Sequence, residues 1–289
     1  MSKLGENLQS IIKRIHINVP WSMLDRYLNL VISEQLNVEI GFEANDLDHA
    51  SPAKLKATAA RLRDEGCAVT LHGPFWDLCP GGQDPLIRQV TYLRLQQFLD
   101  AAAALEPLQV VCHTGFDPSH HRGQTDAWLD RSTAMWGPLV KRAESYGVPL
   151  LLENVWEHDP RFIVELLTRI DSSYCGFCLD VGHQHSFSKS TLATWLTSTA
   201  EFLKEIHLHD NDGREDSHLP IGQGNIDFVF LFQFLRQRGL SPLLTLEPHR
   251  EQHLYESLDG LAAVLAQPAA RPTAAVPFEP TPQRTATWP

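Results

Sequence analysis

No apolar run in the 289-residue chain approaches the roughly 18 residues that a membrane-spanning helix needs, so no membrane partner is expected. The N-terminal stretch MSKLGENLQSIIKRI lacks the continuous apolar segment of a signal peptide, and the chain reads as cytoplasmic. Basic side chains are outnumbered, 24 Lys and Arg against 35 Asp and Glu, for a formal net charge of −11. A protein of duplex DNA normally carries a basic face, because phosphate neutralisation supplies most non-specific affinity. DNA is therefore a less favoured partner than a small molecule, although a local basic patch can sit within an acidic whole. Cysteines are few and odd in number: Cys67, Cys79, Cys112, Cys175 and Cys178. That excludes a disulfide scaffold and points to reduced, buried thiols. Cys175 and Cys178 do form a C-x-x-C pair, but no second pair and no thioredoxin-like pattern accompanies it. Also missing is the Gly-rich phosphate fingerprint that a dinucleotide-binding open sheet carries after its first strand, which here runs IHINVPW.

With 43% hydrophobic and 20% charged residues, the chain can build a large core and is not a disordered protein. Short apolar runs alternate with amphipathic stretches. Strands are predicted at 14–19, 37–43, 67–73, 108–115, 148–155, 174–181, 203–209 and 241–247. Helices are predicted at about 21–35, 52–66, 85–105, 126–146, 160–170, 190–201, 226–238 and 251–266. Ser51 before Pro52, Asp84 before Pro85, and Ser190 or Thr191 are the expected helix caps. Eight strand–helix repeats predict a parallel α/β architecture, and a single closed (β/α)8 barrel over residues 1–266 accommodates them best. An open doubly wound sheet is the rival. From Gln267 to Pro289 six prolines and no apolar periodicity predict a disordered tail, with Phe278 or Trp288 as the residues that would dock if it did not stay free.

In such a barrel, catalytic groups come from the C-terminal ends of the strands and the loops beyond. Six successive predicted strands end on a titratable group after apolar residues. They are His72, His113, Glu153, Asp180 (with His183 three residues on), His207 and Glu247. The segment EIHLHDNDGREDSHLPIGQGNID, from Glu205 to Asp227, adds His209, Asp210, Asp216 and His218 before a Gly222-x-Gly224 turn. Any one of these has an ordinary reading as a core histidine, a helix cap or a barrel ion pair. Together they put several carboxylates at buried positions with no Lys or Arg at the matching places. A divalent metal is the natural counter-charge.

The strand-end residues and the Ile221-Gly-Gln-Gly-Asn-Ile226 turn resemble those of the xylose-isomerase-like TIM barrels, which include endonuclease IV and many sugar isomerases and epimerases. The resemblance spans residues 14–266, with Gln223 where an acidic residue is usual. It implies one divalent metal on Glu153, Asp180, His207 and Glu247 in the isomerase pattern. The endonuclease IV pattern adds His72, His113, His183, Asp216 and His218 and implies up to three zinc ions. In that pattern His72, His113 and Glu153 hold one ion. Glu153 bridges to a second held by Asp180, His207 and Glu247, and His183, Asp216 and His218 hold a third.

The complete nine-residue set favours hydrolysis of a phosphodiester or phosphosugar bond in a small molecule, a chemistry that closely spaced metals assist. The alternative is a sugar or sugar-phosphate isomerase or epimerase with one Mn, Co or Mg, in which Glu153 and Glu247 are the catalytic proton carriers. Further alternatives are an apurinic/apyrimidinic endonuclease and a non-catalytic metal-binding barrel. Trp21, Phe75, Trp76 and Trp156 are expected at the pocket mouth, able to stack on a sugar or base. Arg122, Arg161, Arg214 and Arg250 are candidate phosphate clamps. His209 and Asp210 are expected to orient ligating imidazoles, while His185 and His249 read as loop histidines. Oligomeric state is not legible.

Overall fold

The structure, a computed structural model, describes residues 8, 11–121 and 123–267. The proline-rich tail, including Phe278 and Trp288, and Arg122 lie outside the described residues.

Eight parallel strands close in chain order, β1 (Ile15–Pro20), β2 (Asn37–Gly41), β3 (Val69–His72), β4 (Val110–His113), β5 (Leu150–Glu153), β6 (Cys175–Asp180), β7 (Leu203–Leu208) and β8 (Leu243–Leu246). β1 pairs with both β2 and β8, so the sheet has no free edge. The predicted strands all form; β1 is shifted by one residue and the others are trimmed by one or two residues at an end. A closed barrel, not the open sheet, is the outcome.

The helices are α1 (Trp21–Glu34), α2 (Ala44–His49), α3 (Pro52–Asp64), α4 (Pro85–Leu105), α5 (Thr125–Ser145), α6 (Arg161–Ile170), α7 (Val181–Phe187), α8 (Leu192–Thr199), α9 (Phe228–Arg238) and α10 (Glu251–Leu265). Local chemistry starts them as expected. The Ser51 hydroxyl accepts from Lys54 N–H at 3.2 Å, the Asp84 carboxylate from Leu86 N–H at 2.7 Å, and Thr191, rather than Ser190, caps α8 by accepting from Thr194 N–H at 3.2 Å.

Two short helices lie where only loop was expected. In α2 the Asp46 carboxylate accepts from the Glu43 N–H, a capping box hidden in the loop after β2. In α7 the Asp180 carboxylate accepts from His183 N–H at 2.6 Å, so the last residue of β6 is also the cap of the helix beyond it. The core between barrel and helices buries Trp128, Trp136, Trp195, Phe98 and Phe177. Leu95 and Phe98 of α4 face it, but Leu93 does not. All five cysteines are unbridged and four are buried; burial raises Cys175 to about 12 and Cys178 well above its ordinary range, and the Cys178 sulfur lies within 4.8 Å of donor atoms of Glu153 and His207. Among the described residues no helix is long and apolar enough to cross a membrane.

Candidate metal centre

Register brings the strand-end groups side by side. His113 of β4 pairs opposite Glu153 of β5, and Asp180 of β6 opposite His207 of β7. Glu247 follows β8 directly, its N–H donating to Leu208 O at 3.3 Å. Glu153, 1% exposed, is the hub. Its Oε2 lies 2.9 Å from His72 Nε2, 3.4 Å from His113 Nε2 and 3.6 Å from His207 Nδ1, and its Oε1 lies 3.2 Å from His183 Nδ1. His207 Nδ1 is also 3.3 Å from Glu247 Oε1 and 3.9 Å from Asp180 Oδ2.

A second knot adjoins the first. Asp216 Oδ2 sits 3.0 Å from His218 Nε2 and 3.3 Å from His183 Nε2. His209 joins it, with Nδ1 at 3.6 Å from Asp216 Oδ1 and Nε2 at 3.1 Å from Asp180 Oδ2. The loop that carries Asp216 and His218 is held by Asp210. Its carboxylate accepts from the N–H groups of Asn211, Gly222, Gly224 and Ile226 at 2.9–3.2 Å. Glycine is required twice here, because a Cβ on Gly224 would lie 2.3 Å from Asn211 O, and one on Gly182 only 1.9 Å from the His209 ring. His218 itself takes a left-handed backbone, φ 44°, which turns its ring into the cluster.

Every ion pair that Glu153, Asp180, Asp216 and Glu247 make among the described residues is with an imidazole. Without a metal, the carboxylates recruit protons onto those rings. Burial alone would lower His72 and His218, yet hydrogen bonding and charge from Glu153 and Asp216, respectively, raise each to about 9. His183 and His207 are likewise driven well above the usual imidazole range. Burial opposes ionisation of Glu153, but His113 and His207 hold it well below the carboxylate range, whereas burial raises Glu247. Several donor atoms are left without hydrogen bonds: both nitrogens of His207, His209 Nδ1 and Asp216 Oδ1. Buried orphans of that kind, on N and O donors clustered within 4.8 Å of one another, are what a divalent ion satisfies. The residues fit a metal.

All nine expected ligands therefore lie in one connected cluster. His209, expected to orient ligating groups, lines the second knot, its ring stacked 3.7 Å from that of His218. His249, read as a loop histidine, stacks 4.0 Å on the other face of His218. Asp210 touches backbone N–H groups, not imidazoles, and His185 meets Asn225 at 2.5 Å.

Phe75 stacks on His113 at 4.4 Å and leads to the exposed Trp76; Phe187 reaches from His183 to the half-exposed Trp156. Trp21 is no mouth residue: it is buried and stacked on Phe42 at 5.2 Å. Two of the candidate arginines have acidic partners close in sequence. Arg161 forks onto Asp159, and Arg214 is 87% exposed beside Asp212. Buried carboxyls to which sequence reasoning gives no role include Glu39 of β2, Glu157 of the loop after β5 and Glu205 of β7. The signal for Glu39 was present: an acid inside the apolar strand NVEIG.

Residues 37–267 match the family of xylose isomerase-like TIM barrels. Uncharacterized protein MJ1311 of Methanocaldococcus jannaschii is 28% identical over 207 residues, 69% of this chain and 70% of its own length. A probable endonuclease 4 of Symbiobacterium thermophilum is 24% identical over 225 residues, 71% of this chain and 75% of its own. Among solved structures, the TTHB071 protein of Thermus thermophilus, soaked with ZnCl2, superposes with a TM-score of 0.72 at 26% identity, covering 88% of this chain and 97% of that one. A D-tagatose 3-epimerase-like protein gives a TM-score of 0.76 at 24% identity over 87% and 97%. The fold, the strand-end donors and the matched span agree: the chain belongs to the xylose isomerase-like TIM barrel family.

Proposed function

We propose that this barrel is a metal-dependent hydrolase of a phosphodiester or phosphosugar bond in a small molecule. One observation carries the reading. Nine side chains, with His209 as a tenth, converge in a single cluster, more donors than one divalent ion can take. They divide into a group around Glu153 and a group around Asp216 that share His183 between them. His72, His113, Glu153, Asp180, His207 and Glu247 would hold ions at the strand ends, and His183, Asp216 and His218 a further one. When bound there, divalent ions would supply an activated water and charge neutralisation for in-line displacement at a phosphodiester. Glu153 is kept ionised and faces four imidazoles, which suits it to hold such an ion. Phe75 and Phe187 lie against His113 and His183, and Trp76 and Trp156 continue from them toward solvent, offering rings for the organic part of the substrate. The zinc-soaked relative agrees with a metal-binding barrel, and the excess of acidic residues favours a small substrate over DNA.

A second reading has its own observation. Glu153 and Glu247 both approach His207 Nδ1, at 3.6 and 3.3 Å, the arrangement for two carboxylates to pass a proton at a sugar carbon held between them. The folds of sugar epimerases superpose on this chain. Metal counting on the purified protein separates the two, together with assays on bis(p-nitrophenyl) phosphate and on free ketoses. Two or three zinc ions per chain with phosphodiester turnover are expected. One exchangeable ion with C3 epimerisation and no phosphodiesterase would replace the hydrolase by the isomerase, and robust nicking of abasic-site DNA would overturn the small-molecule assignment.

A further inference from the structure

Below the strand-end donors, the barrel interior holds a polar layer that the proposed chemistry does not use. Glu39 of β2 and Glu205 of β7 are both fully buried, and both approach the inner nitrogen of His207. Glu39 Oε2 lies 3.4 Å from His207 Nε2, and Glu205 Oε1 lies 3.9 Å from it.

The two acids are not equivalent. Glu205 has both oxygens committed: Oε1 accepts from the Thr245 hydroxyl at 2.5 Å, and Oε2 from the Gln109 amide at 2.6 Å. Glu39 has one. Its Oε1 accepts from Asn18 Nδ2 at 3.0 Å, which clamps the carboxylate, while Oε2 has no hydrogen bond. His207 Nε2 has none either. Two buried, unpartnered polar atoms of complementary type thus face each other across the barrel. A lone carboxylate oxygen in such a place is costly unless a donor reaches it. On the opposite side of the ring, Nδ1 looks up at Glu153, Asp180 and Glu247.

We infer that Glu39 is a positioning residue for His207: it takes the proton on Nε2, so that the ring stays upright and Nδ1 is left as a lone-pair donor to the metal at the strand ends. The inference rests on the metal-holding role proposed above. A neutral imidazole has two tautomers, and only the one protonated on Nε2 can ligate through Nδ1. Glu39 selects that tautomer without touching the ion. Asn18, on the neighbouring strand β1, serves the same end by fixing Glu39. An extra ion between Glu39, Glu205 and His207 is the rival use of these groups, and the committed oxygens of Glu205 argue against it.

The test is zinc binding by metal-stripped protein in competition with a chromogenic chelator, alongside thermal melts of the stripped forms. Glu39→Leu is expected to weaken zinc binding at the strand-end site about 10- to 100-fold. Glu39→Gln, which keeps an acceptor oxygen, should fall between it and the parent. Wild-type affinity in a folded Glu39→Leu protein would overturn the inference, as would a whole zinc equivalent lost in Glu205→Gln. Should Glu39→Leu not fold, nitrogen-15 spectra of zinc-loaded wild type decide. A proton on His207 Nε2 is expected, and one on Nδ1 refutes the assignment. A wild-type chain that binds no zinc sinks the proposed function itself, an outcome distinct from any of these.

Discussion

Asp216 Oδ2 lies 3.0 Å from His218 Nε2, a contact between two side chains on one loop beside His183. The pair would be idle in a one-metal site unless it touched substrate. In a multi-ion site it completes, with His183, the outermost set of donors. His218→Ala should therefore remove about one zinc per chain and lower phosphodiester turnover by about a hundredfold or more, several kcal/mol in barrier. Above about pH 9, where the His218–Asp216 pair no longer adds stability, the melting temperature of the stripped variant should match that of the stripped parent. Full phosphodiesterase activity in this variant would rule out the trinuclear arrangement.

Metal-free protein should respond to pH through its imidazoles. His72 and His218 are raised from 6.5 to about 9 by their carboxylate partners, Glu153 and Asp216. A raised folded-state pKa contributes stability that is fully present below pH 6.5 and disappears as pH climbs through about 9. Denaturant melts of stripped protein between about pH 6 and pH 9.5 should show that decline. Zinc affinity should move the other way over the same window, because ligating imidazoles must shed their protons. Parallel trends in the two measurements would contradict a shared set of groups.

Glu157 gives a second pH signature. It is 2% exposed, accepts from the Thr114 hydroxyl and from Val155 N–H at 2.7 Å, and burial raises it from 4.5 to about 7. Its contribution is complete below pH 4.5 and lost as pH rises through 7, on the order of 3 kcal/mol across that span. Glu157→Gln cannot ionise, and can still accept from Val155 N–H while its amide donates to Thr114. Its stability curve should be flatter than wild type between about pH 4.5 and 8, measured by urea melts. Curves that run parallel would show that Glu157 stays ionised in the folded chain.

Much of this molecule is written locally. Alternation of apolar strands with capped helices specified the (β/α)8 class, because a strand buried on both faces must be an apolar run and each parallel return needs a helix. Strand ends after such runs made His72, His113, Glu153, Asp180, His207 and Glu247 conspicuous, since a charge there has little reason to be buried alone. Motif resemblance then extended the set to His183, Asp216 and His218, and the fold brought all nine together.

Other features depended on contacts between residues far apart in the chain. Whether the sheet closes is decided where β1 meets β8, more than 200 positions away in the chain. That His209 lines the second knot follows from Gly182, which leaves room for its ring, and the His249 stack from a left-handed turn at His218. Asp210 looked like a companion of the ligands because it follows His209, but its carboxylate turns away to gather four N–H groups of its own loop. Glu39 is 168 residues from His207 in the chain and 3.4 Å from it in the barrel. Periodicity can say that a side chain points inward; it cannot say what it meets there, because partners across a barrel are chosen by register and closure.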